Sequence, residues 1–348
     1  MDQPLVSIIV PTYNVEKYIE TGIDSLLNQT YSNLEILIVD DLSTDRTVDI
    51  IKHKYLENRK INLIQKLKNT GPANTRNIGI TQAKGKYIAL LDGDDYYEKD
   101  KIAKQVQWME SNPDVTVCST FLKTFELEEK VIKFSLFHSE IKDQVLLGCP
   151  IAHPASMFRV TFLKENNLWY NENLRFSEDY EFFIRILEKG GKLMTIPEVL
   201  YNYRITGNQA SFKKNKNKII KNKNQEEISK YFHYKVLNKL VEENSELYNQ
   251  KWIDALLVHQ VLRNFNDLKA FIIWAKKIIK YNEEKGCPFN SKFLEKTYKR
   301  SVLGYFLAQK QLSWKVLYQY ILTYPYCAKL NLNYQMKYII KSLLFLKH

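Results

Sequence analysis

Short apolar segments alternate with amphipathic segments along the first half of the chain. Residues 5–10 form a continuous apolar run typical of a buried strand, whereas residues 18–27 carry apolar side chains at helical spacing. The segments that continue this alternation are predicted to be strands and helices in turn, at 34–39, 44–55, 61–65, 73–83 and 86–91. The pattern predicts an α/β fold with a doubly wound, mostly parallel sheet and helices on both faces.

The last of these strands ends in three carboxylates around a glycine, in the order Asp92, Gly93, Asp94 and Asp95. Acids that cluster where a strand leaves the core repel one another and lose solvation, so a positive partner is expected. A divalent metal ion that carries a phosphorylated ligand would provide it. A solvated turn is the alternative, because Asp and Gly are ordinary turn residues.

Two earlier strands also lead into polar residues. The first runs into Tyr13 and Asn14, where Asn14 is predicted to cap the next helix, and the second ends in Asp40 and Asp41. Because the carboxyl ends of parallel strands lie along one edge of a sheet, we expect Tyr13, Asp41 and residues 92–95 to converge there. No Gly-x-Gly-x-x-Gly motif follows the first strand, so a dinucleotide is not the expected ligand.

Seven motifs follow one another along roughly the first 210 residues, at residues 6–14, 27–31, 39–41, 76–79, 85–95, 177–181 and 203–204. In this order they resemble the family 2 glycosyltransferases, which have the nucleotide-sugar-binding GT-A fold. The match does not extend over the rest of the chain. Residues 150–211 are also similar to bacterial enzymes that build lipo-oligosaccharide by adding N-acetylhexosamine or galactose.

The resemblance implies a metal site on the acidic segment. Asp94 would hold Mn²⁺ or Mg²⁺ against the diphosphate of a donor, and Asp92 would reach the ribose or the coordination shell of the metal. Hard oxygen ligands suit both ions. Asp95 is interpreted either as an outer-shell partner or as a simple turn carboxylate.

The resemblance also implies a site for a UDP-sugar. Tyr13 would stack on uracil while Asp41 accepts the N3 hydrogen of the base, with Asp40 beside it as a further candidate. The alternative is a Tyr at the start of a helix and an Asp at the end of a strand. Arg76 would bind the base or the phosphates, unless it forms a surface salt bridge. The donor-binding residues that the resemblance implies are Pro11, Tyr13, Asn14, Asp41, Arg76, Asp92, Gly93, Asp94 and Arg204.

Two acids at the start of an amphipathic helix, Glu178 and Asp179, are the candidates for acceptor chemistry. Acids in a first turn also stabilise a helix, which is the structural alternative. The resemblance implies that Asp179 is the general base for the acceptor hydroxyl and that Glu178 orients the acceptor or the loop. One displacement of this kind inverts the anomeric carbon. His153 is a further candidate for contact with the acceptor or the metal, or else a structural side chain.

A strand predicted at 199–204 leads into a polar loop at 205–211, which is a candidate lid over the donor. By resemblance, Arg204 would contact the diphosphate. Asn208 and Ser211 are candidate helpers, because a departing phosphate needs fixed hydrogen-bond donors. A plain connecting loop is the alternative for these last two residues.

The charge of the chain is distributed unevenly around its net value of +12. Residues 1–211 hold 25 Lys and Arg against 29 Asp and Glu, whereas residues 212–348 hold 26 against 10. We predict a catalytic GT-A domain at 1–211 and a basic helical region at 212–348, starting with a linker or solvated helix at 212–224. The basic region would serve membrane association, acceptor binding or oligomerisation. Its last segment, 334–348, suits an anionic membrane surface, or else packs as a terminal helix or at a homo-oligomer contact.

The four cysteines are widely spaced and include no Cys-x-x-Cys motif, so neither zinc nor a disulfide framework is indicated. The chain passes almost directly into its first strand without a signal peptide, and no apolar run approaches the length of a membrane-spanning helix. We expect a cytoplasmic protein, either free or peripheral on the inner face of the cytoplasmic membrane.

The function expected from the whole sequence is that of an inverting, metal-dependent glycosyltransferase. It would move a hexose or an N-acetylhexosamine from a UDP-sugar to a hydroxyl group of a glycan or lipid-linked oligosaccharide in bacterial surface polysaccharide synthesis. The sequence lacks a Gln-x-x-Arg-Trp motif and membrane spans, which favours a non-processive enzyme.

Two other classes of protein are weighed against this function. A sugar-phosphate nucleotidylyltransferase also combines a nucleotide fold with acidic metal ligands, but no glycine-rich basic triphosphate loop follows the first strand. A basic nucleic-acid-binding protein would explain the charge alone. The basic region has no zinc-finger or RNA-recognition signature, so no nucleic acid partner is expected.

Overall fold

A computed structural model describes most of the first 206 residues and parts of the remainder. The described residues are 3–145, 149–174, 177–206, 214–215, 218–219, 249–258, 262, 264–284, 295, 297–302 and 305. The chain divides into two compact units, residues 1–229 and residues 230–348. The first unit contains the β-sheet and the candidate site, and the described part of the second is helical.

Strands and helices alternate over residues 6–90 as the sequence predicts. The strands are β1 Val6–Thr12, β2 Leu34–Asp40, β3 Ile61–Gln65, β4 Tyr87–Leu90, β5 Tyr96–Tyr97, β6 Val117–Glu126, β7 Lys130–Ile132, β8 Met157–Arg159, β9 Leu193–Ile205, β10 Lys214–Asn215 and β11 Lys218–Ile219. The helices are α1 Ile19–Leu27, α2 Thr47–Tyr55, α3 Pro72–Gln82, α4 Lys101–Ser111, α5 His138–Gln144, α6 Val160–Glu165 and α7 Glu178–Glu188.

Within the described residues, nine strands form one sheet in the order β3-β2-β1-β4-β8-β6-β9-β5, with β7 paired to β6. The first four strands of this order are parallel, β6 and β9 are parallel to each other, and β8 runs antiparallel between β4 and β6. Thr12 of β1 lies opposite Asp40 of β2, and Asp40 lies opposite Gln65 of β3. These three strands therefore end at the same level.

Alternation of side chains along each strand places apolar residues on both faces of the sheet. Ile8 of β1 packs in one core cluster with apolar residues of α1, α2 and α4. Its neighbour Ile9 packs in a second cluster with apolar residues of α3, α6 and α7. The predicted α/β fold, with a mostly parallel sheet and helices on both faces, is confirmed.

The prediction that Asn14 caps the next helix is wrong. Helix α1 begins five residues later, and the residue before it, Tyr18, makes no capping hydrogen bond through its side chain. Asn14 instead adopts a left-handed conformation, with φ of 54°. Its side-chain oxygen accepts a hydrogen bond from the backbone N–H of Thr44 at 2.8 Å. The short amide thus ties the end of β1 to the loop after the neighbouring strand β2.

The strand predicted at 199–204 is the second half of β9, which begins at Leu193 and pairs in parallel with β6 along its length. Of the lysine-rich segment 212–224, the structure describes only the paired strands β10 and β11, so these four residues are not helical. The amphipathic segment 334–348 lies outside the described residues. None of the helices in the described part of the chain is long and apolar enough to span a bilayer.

The second unit contains α8 Gln250–Val258 and α9 Phe265–Glu284. Phe271 of α9 is buried and packs with the rings of Trp252 and Trp274. Lys251 forms an ion pair with Asp267 at 2.7 Å, which joins the start of each helix. Aromatic packing of this kind stabilises the helix pair.

The close approach of Gly85 to β1 provides a test of the fold. A methyl group at Gly85 would lie 2.7 Å from the backbone nitrogen of Ser7 and 2.8 Å from the backbone oxygen of Leu5. Because backbone atoms cannot rotate away, we expect Gly85→Ala to lower the free energy of unfolding by about 1–3 kcal/mol, measured by urea unfolding. The control is Lys84→Ala, at the exposed residue before Gly85, which should change the free energy of unfolding by less than about 0.5 kcal/mol. Equal midpoints for the two variants would contradict this packing.

Candidate active site

The candidate site lies where β1, β2 and β4 end, at the carboxyl edge of the parallel part of the sheet. Tyr13 follows β1, Asp41 follows β2, and residues 92–95 come shortly after β4. Since β1 lies between the other two strands, the structure brings these three segments to one edge. This is the edge where open α/β sheets bind their ligands.

Arg76, in the second turn of α3, joins two acidic segments that are far apart in the sequence. Its Nη1 donates a hydrogen bond to Oε1 of Glu178 at 2.8 Å, and its Nη2 lies 3.3 Å from Oδ1 of Asp92. The side chain is only 8% exposed, so this is a buried bridge rather than a surface salt bridge. The guanidinium also lies over the ring of Tyr170, 5.7 Å from its centroid. Helix α3 thereby connects the segment after β4 to the start of α7.

The acids at this bridge shift the pKa values of their neighbours. Burial, reinforced by the charge of Glu178, raises the pKa of Asp179 to about 6, although Arg76 and the N–H of Tyr180 oppose the shift. Burial alone would lower the pKa of Arg76, but the charges of Asp92 and Glu178 raise it above its ordinary value. Arg76 is therefore a permanent cation among the acids, while Asp179 titrates near neutral pH.

The segment 92–95 is packed tightly between β1 and β9. A methyl group at Gly93 would lie 3.2 Å from side-chain atoms of Thr12 and Val15 and 3.3 Å from the carbonyl oxygen of Pro11, so only a small residue fits. Asp95 is fully buried, and burial followed by the charges of Asp94 and Asp92 raises its pKa well above the ordinary value. Its two oxygens accept hydrogen bonds from strand β9.

The remaining acids of this segment suit a hard divalent cation. Asp92 and Asp94 are both partly exposed, unlike Asp95, and lie in the segment that follows β4 at the site edge. Among the residues that the structure describes, no group of three His, Cys, Asp or Glu side chains is arranged to hold a metal ion without help. Mg²⁺ and similar ions often use one or two carboxylates together with phosphate oxygens of a ligand. The donor set therefore fits an ion that arrives with a diphosphate.

The side chains after β1 and β2 differ in their exposure. Tyr13 is 49% exposed at the end of β1, whereas Asp41 is buried. Lys66 Nζ lies 2.5 Å from one oxygen of Asp41, and the backbone N–H groups of Thr70 and Gly71 donate to the same carboxylate at 2.9 and 2.8 Å. An ionised carboxylate has about four lone-pair sites, and these donors use three of those of Asp41.

Asp40 has a local structural role. Its carboxylate accepts a hydrogen bond from the Thr12 hydroxyl at 3.3 Å and two from Ser43, from the backbone N–H at 2.9 Å and the hydroxyl at 2.5 Å. It is 1% exposed. These bonds fix the loop that follows β2 against β1.

Arg204, near the end of β9, is enclosed by other side chains. Its guanidinium lies 4.5 Å from the ring centroids of both Tyr18 and Phe125, and its Nη1 pairs with Oε2 of Glu126 at 2.6 Å. Its Nε donates to the carbonyl oxygen of Asp94 at 2.7 Å. The structure thus brings Arg204 to the acidic segment through the backbone of that segment.

His153 is buried behind Arg76. Its Nε2 lies 2.8 Å from the hydroxyl oxygen of Tyr170, and its ring packs edge-on against Phe183. Burial, together with the charge of Arg76, holds the pKa of His153 well below its ordinary value, so the imidazole is neutral. His153 therefore supports the ring over which Arg76 lies.

Several neighbours of these residues were not expected from the sequence. Lys66 follows β3 just as Asp41 follows β2. Because these two strands are neighbours in the sheet, this shared position could have predicted the contact between Lys66 and Asp41. Cys149, treated as an ordinary thiol, has its sulfur 4.0 Å from Oδ2 of Asp179. Nothing in the sequence near Tyr170 or Tyr201 distinguishes them from other core tyrosines. The predicted helpers Asn208 and Ser211 lie outside the described residues.

Comparison with known proteins relates this chain to a family. The family model named "Glycosyl transferase family 2" matches residues 7–166. An uncharacterized glycosyltransferase of Haemophilus influenzae is 33% identical over 241 residues, which cover 66% of this chain and 74% of that protein. Hyaluronan synthase of Pasteurella multocida is 29% identical over 305 residues, which cover 80% of this chain but only 31% of the synthase.

The fold has relatives among solved structures. The crystal structure of S. aureus TarS 1-349 in complex with UDP-GlcNAc superposes with a TM-score of 0.58 at 20% identity, covering 88% of this chain and 92% of that one. At this level of identity the similarity concerns the fold. Together with the matches in sequence, it leads to one conclusion: the chain belongs to glycosyl transferase family 2.

Proposed function

We propose that this glycosyltransferase moves a hexose or an N-acetylhexosamine from a UDP-sugar to a hydroxyl group of a glycan or lipid-linked oligosaccharide, one sugar per encounter and with inversion. The observation that carries the proposal is the gathering of Asp92, Glu178 and Asp179 around the buried guanidinium of Arg76. The one positive charge of Arg76 does not balance these three acids. A divalent ion that carries a diphosphate would offset the remaining negative charge.

Asp92 and Asp94 would hold Mn²⁺ or Mg²⁺, with diphosphate oxygens of the donor completing the coordination. When bound, the ion neutralises charge that develops on the departing nucleoside diphosphate. Arg76 offers further support, because its buried Nε has no hydrogen-bond partner within the described part of the chain. Buried donors are normally satisfied, and an oxygen of the same ligand would satisfy this one.

Uracil is the base that suits the other end of the site. The ring of the half-exposed Tyr13 offers a face for stacking, and the remaining acceptor site of Asp41 suits the N3 hydrogen of uracil. Pro11 lies two residues before Tyr13 and Asn14 directly after it, and both would line the same pocket. TarS, named above in complex with UDP-GlcNAc, shares the fold and supports a UDP-sugar as the donor.

Asp179 is the proposed general base. It lies in the first turn of α7, where the N-terminal end of the helix favours the carboxylate form, and it accepts a hydrogen bond from the N–H of Tyr180 at 2.7 Å. A pKa of about 6 suits a base that works near neutral pH. Glu178 is held by Arg76, so it would orient the acceptor rather than take the proton. A single base without a covalent step gives inversion.

The setting of the reaction is proposed from the charge distribution. Residues 212–348 hold 26 Lys and Arg against 10 Asp and Glu. Such a basic region would hold the enzyme on the anionic inner face of the cytoplasmic membrane, where lipid-linked acceptors of surface polysaccharide synthesis are used. Acceptor binding or self-association through the helices remain the other roles for this region. The family assignment favours sugar transfer over both the nucleotidylyltransferase and the nucleic-acid alternatives.

Asp94→Ala tests the metal and donor site. We expect the dissociation constant of UDP in the presence of Mn²⁺, measured by calorimetry, to rise at least about 10-fold, because a ligand of the ion is lost. Binding in EDTA should not change. The control is Asp114→Ala, which removes an exposed acid paired with Lys192 and should leave binding unaltered. Screening UDP-GlcNAc, UDP-GalNAc, UDP-Gal and UDP-Glc with the wild type identifies the sugar. Unaltered UDP binding by Asp94→Ala would exclude this metal site.

Asp179→Asn tests the base. Since only the carboxylate accepts a proton, the wild-type rate of transfer should fall about tenfold per pH unit below pH 6 and level off above it. The variant should lose about 10²- to 10⁴-fold in rate at all pH values and keep the wild-type affinity for UDP. Asp49→Asn makes the same change in the first turn of α2 and should be fully active. A normal rate for Asp179→Asn would show that another group is the base.

Arg76→Met tests the charge bridge. Removing one partner of a buried ion pair costs about 3–5 kcal/mol in the free energy of unfolding. Because Arg76 lowers the pKa of Asp179, the acid limb of the pH–rate profile should also move to higher pH. The control is Arg46→Met, where the side chain is 80% exposed, and there we expect a loss below about 1 kcal/mol. Equal stability of the two variants would argue against the bridge.

A further inference from the structure

We propose that three residues of the first unit, Tyr201, Asp95 and Arg204, form a clamp that positions Asp92 and Asp94 for metal binding. The inference rests on the proposed function, because it concerns the metal and donor site named there. It assigns to Asp95 the role of a positioning residue rather than a ligand or a turn carboxylate. It also assigns to Arg204 the role of holding the backbone of the acidic segment. This role does not require Arg204 to contact a diphosphate.

Tyr201 holds the two ends of the acidic segment at once. Its side chain is fully buried in β9, and its hydroxyl donates a hydrogen bond to Oδ2 of Asp95 at 2.6 Å. The hydroxyl oxygen of Tyr201 also accepts a hydrogen bond from the backbone N–H of Asp92 at 3.3 Å. Within the segment, the N–H of Asp95 donates to the carbonyl oxygen of Asp92 at 3.0 Å. One hydroxyl group therefore closes a ring of hydrogen bonds that spans the turn.

Arg204 holds the middle of the segment from the same strand. Its backbone N–H donates to Oδ1 of Asp95 at 2.7 Å, and its Nε donates to the carbonyl oxygen of Asp94 at 2.7 Å. The guanidinium cannot turn away easily, because it lies between two aromatic rings and pairs with Glu126. Arg204 thereby fixes the main chain of the residue that is proposed to hold the metal.

The burial of Asp95 excludes direct contact of its side chain with the metal ion or the donor. Its side chain is 0% exposed, and both of its oxygens accept hydrogen bonds from β9. A buried carboxylate next to two other acids is costly unless such bonds compensate. Its position is explained if the bonds themselves are needed to fix the segment.

The opposite side of the segment is fixed by packing. Gly93 lies against the end of β1, where even a methyl group would be crowded. The two carboxylates that flank Gly93 thus project from a turn held between β1 and β9. Mg²⁺ and Mn²⁺ tolerate little error in the placement of their oxygens, and sites of this kind depend on residues behind the ligands.

Tyr201→Phe removes the hydroxyl group and keeps the ring, so it tests the clamp with the full-length protein. Tyr87→Phe is the matched control, because Tyr87 is equally buried and its hydroxyl also makes two hydrogen bonds, to Glu110 and Arg159. It lies at the first residue of β4, away from the acidic segment. Both variants should therefore lose stability, which separates a general loss from a local one.

The first measurement is the Mn²⁺ concentration at half-maximal UDP binding. We expect Tyr201→Phe to raise it about 10-fold, the size typical of changes behind a metal ligand, and Tyr87→Phe to leave it unchanged. UDP binding in EDTA should be the same for all three proteins. Asp95→Asn should also raise this Mn²⁺ concentration. Because both substitutions affect the same hydrogen bond, the double variant that combines Tyr201→Phe with Asp95→Asn should show an effect clearly smaller than the two single effects added as free energies.

The second measurement needs no ligand. Hydrogen–deuterium exchange of peptides covering residues 91–95 should be at least about 10-fold faster in Tyr201→Phe than in Tyr87→Phe, since the partner of the Asp92 N–H is gone. Equal exchange in the two variants overturns the clamp. Faster exchange with an unchanged Mn²⁺ requirement overturns its positioning role. If the wild type itself binds no UDP with Mn²⁺, the proposed function fails, and the exchange measurement decides the clamp by itself.

Discussion

The site depends on one buried guanidinium that lies among carboxylates. Arg76 bridges Asp92 and Glu178, and without it the start of α7 and the segment after β4 would repel each other across a partly buried space. Like charges at close range in a medium of low dielectric constant destabilise a fold unless a counter-charge lies between them. The bridge also limits how far the pKa of Asp179 rises. One interaction therefore joins the two halves of the site.

Local patterns were sufficient to predict the parallel half of the sheet. The apolar runs of β1 to β4 are nearly continuous, and each predicted segment lies within a few residues of the observed strand. The edge that carries Tyr13, Asp41 and residues 92–95 followed from the topology, because parallel strands expose their carboxyl ends on the same side. These features are encoded within short stretches of sequence, which is why they could be predicted without any knowledge of long-range contacts.

The partners of the site residues could not be predicted in the same way. Asn14 was assigned to the next helix in the chain, yet its amide binds a loop 30 residues away because that loop follows the neighbouring strand. The contacts of Asp95 with Tyr201 and Arg204 span more than 100 residues. Such pairs depend on the register of β9 relative to β5 and β6. The register between β6 and β9 shifts around Phe121, and no pattern in the sequence predicts this shift.

Strand β8, which runs antiparallel in the middle of the sheet, determines where the chain before it lies. Because β8 runs against β4, with Met157 opposite Ala89, the chain that precedes β8 arrives at the acid-rich edge instead of leaving from it. Cys149 and His153 reach their places by this inward path. Because this approach segment ends before the first paired residue of β8, a change in its length would alter the surroundings of Asp179 and leave the pairing of β4 with β8 unchanged.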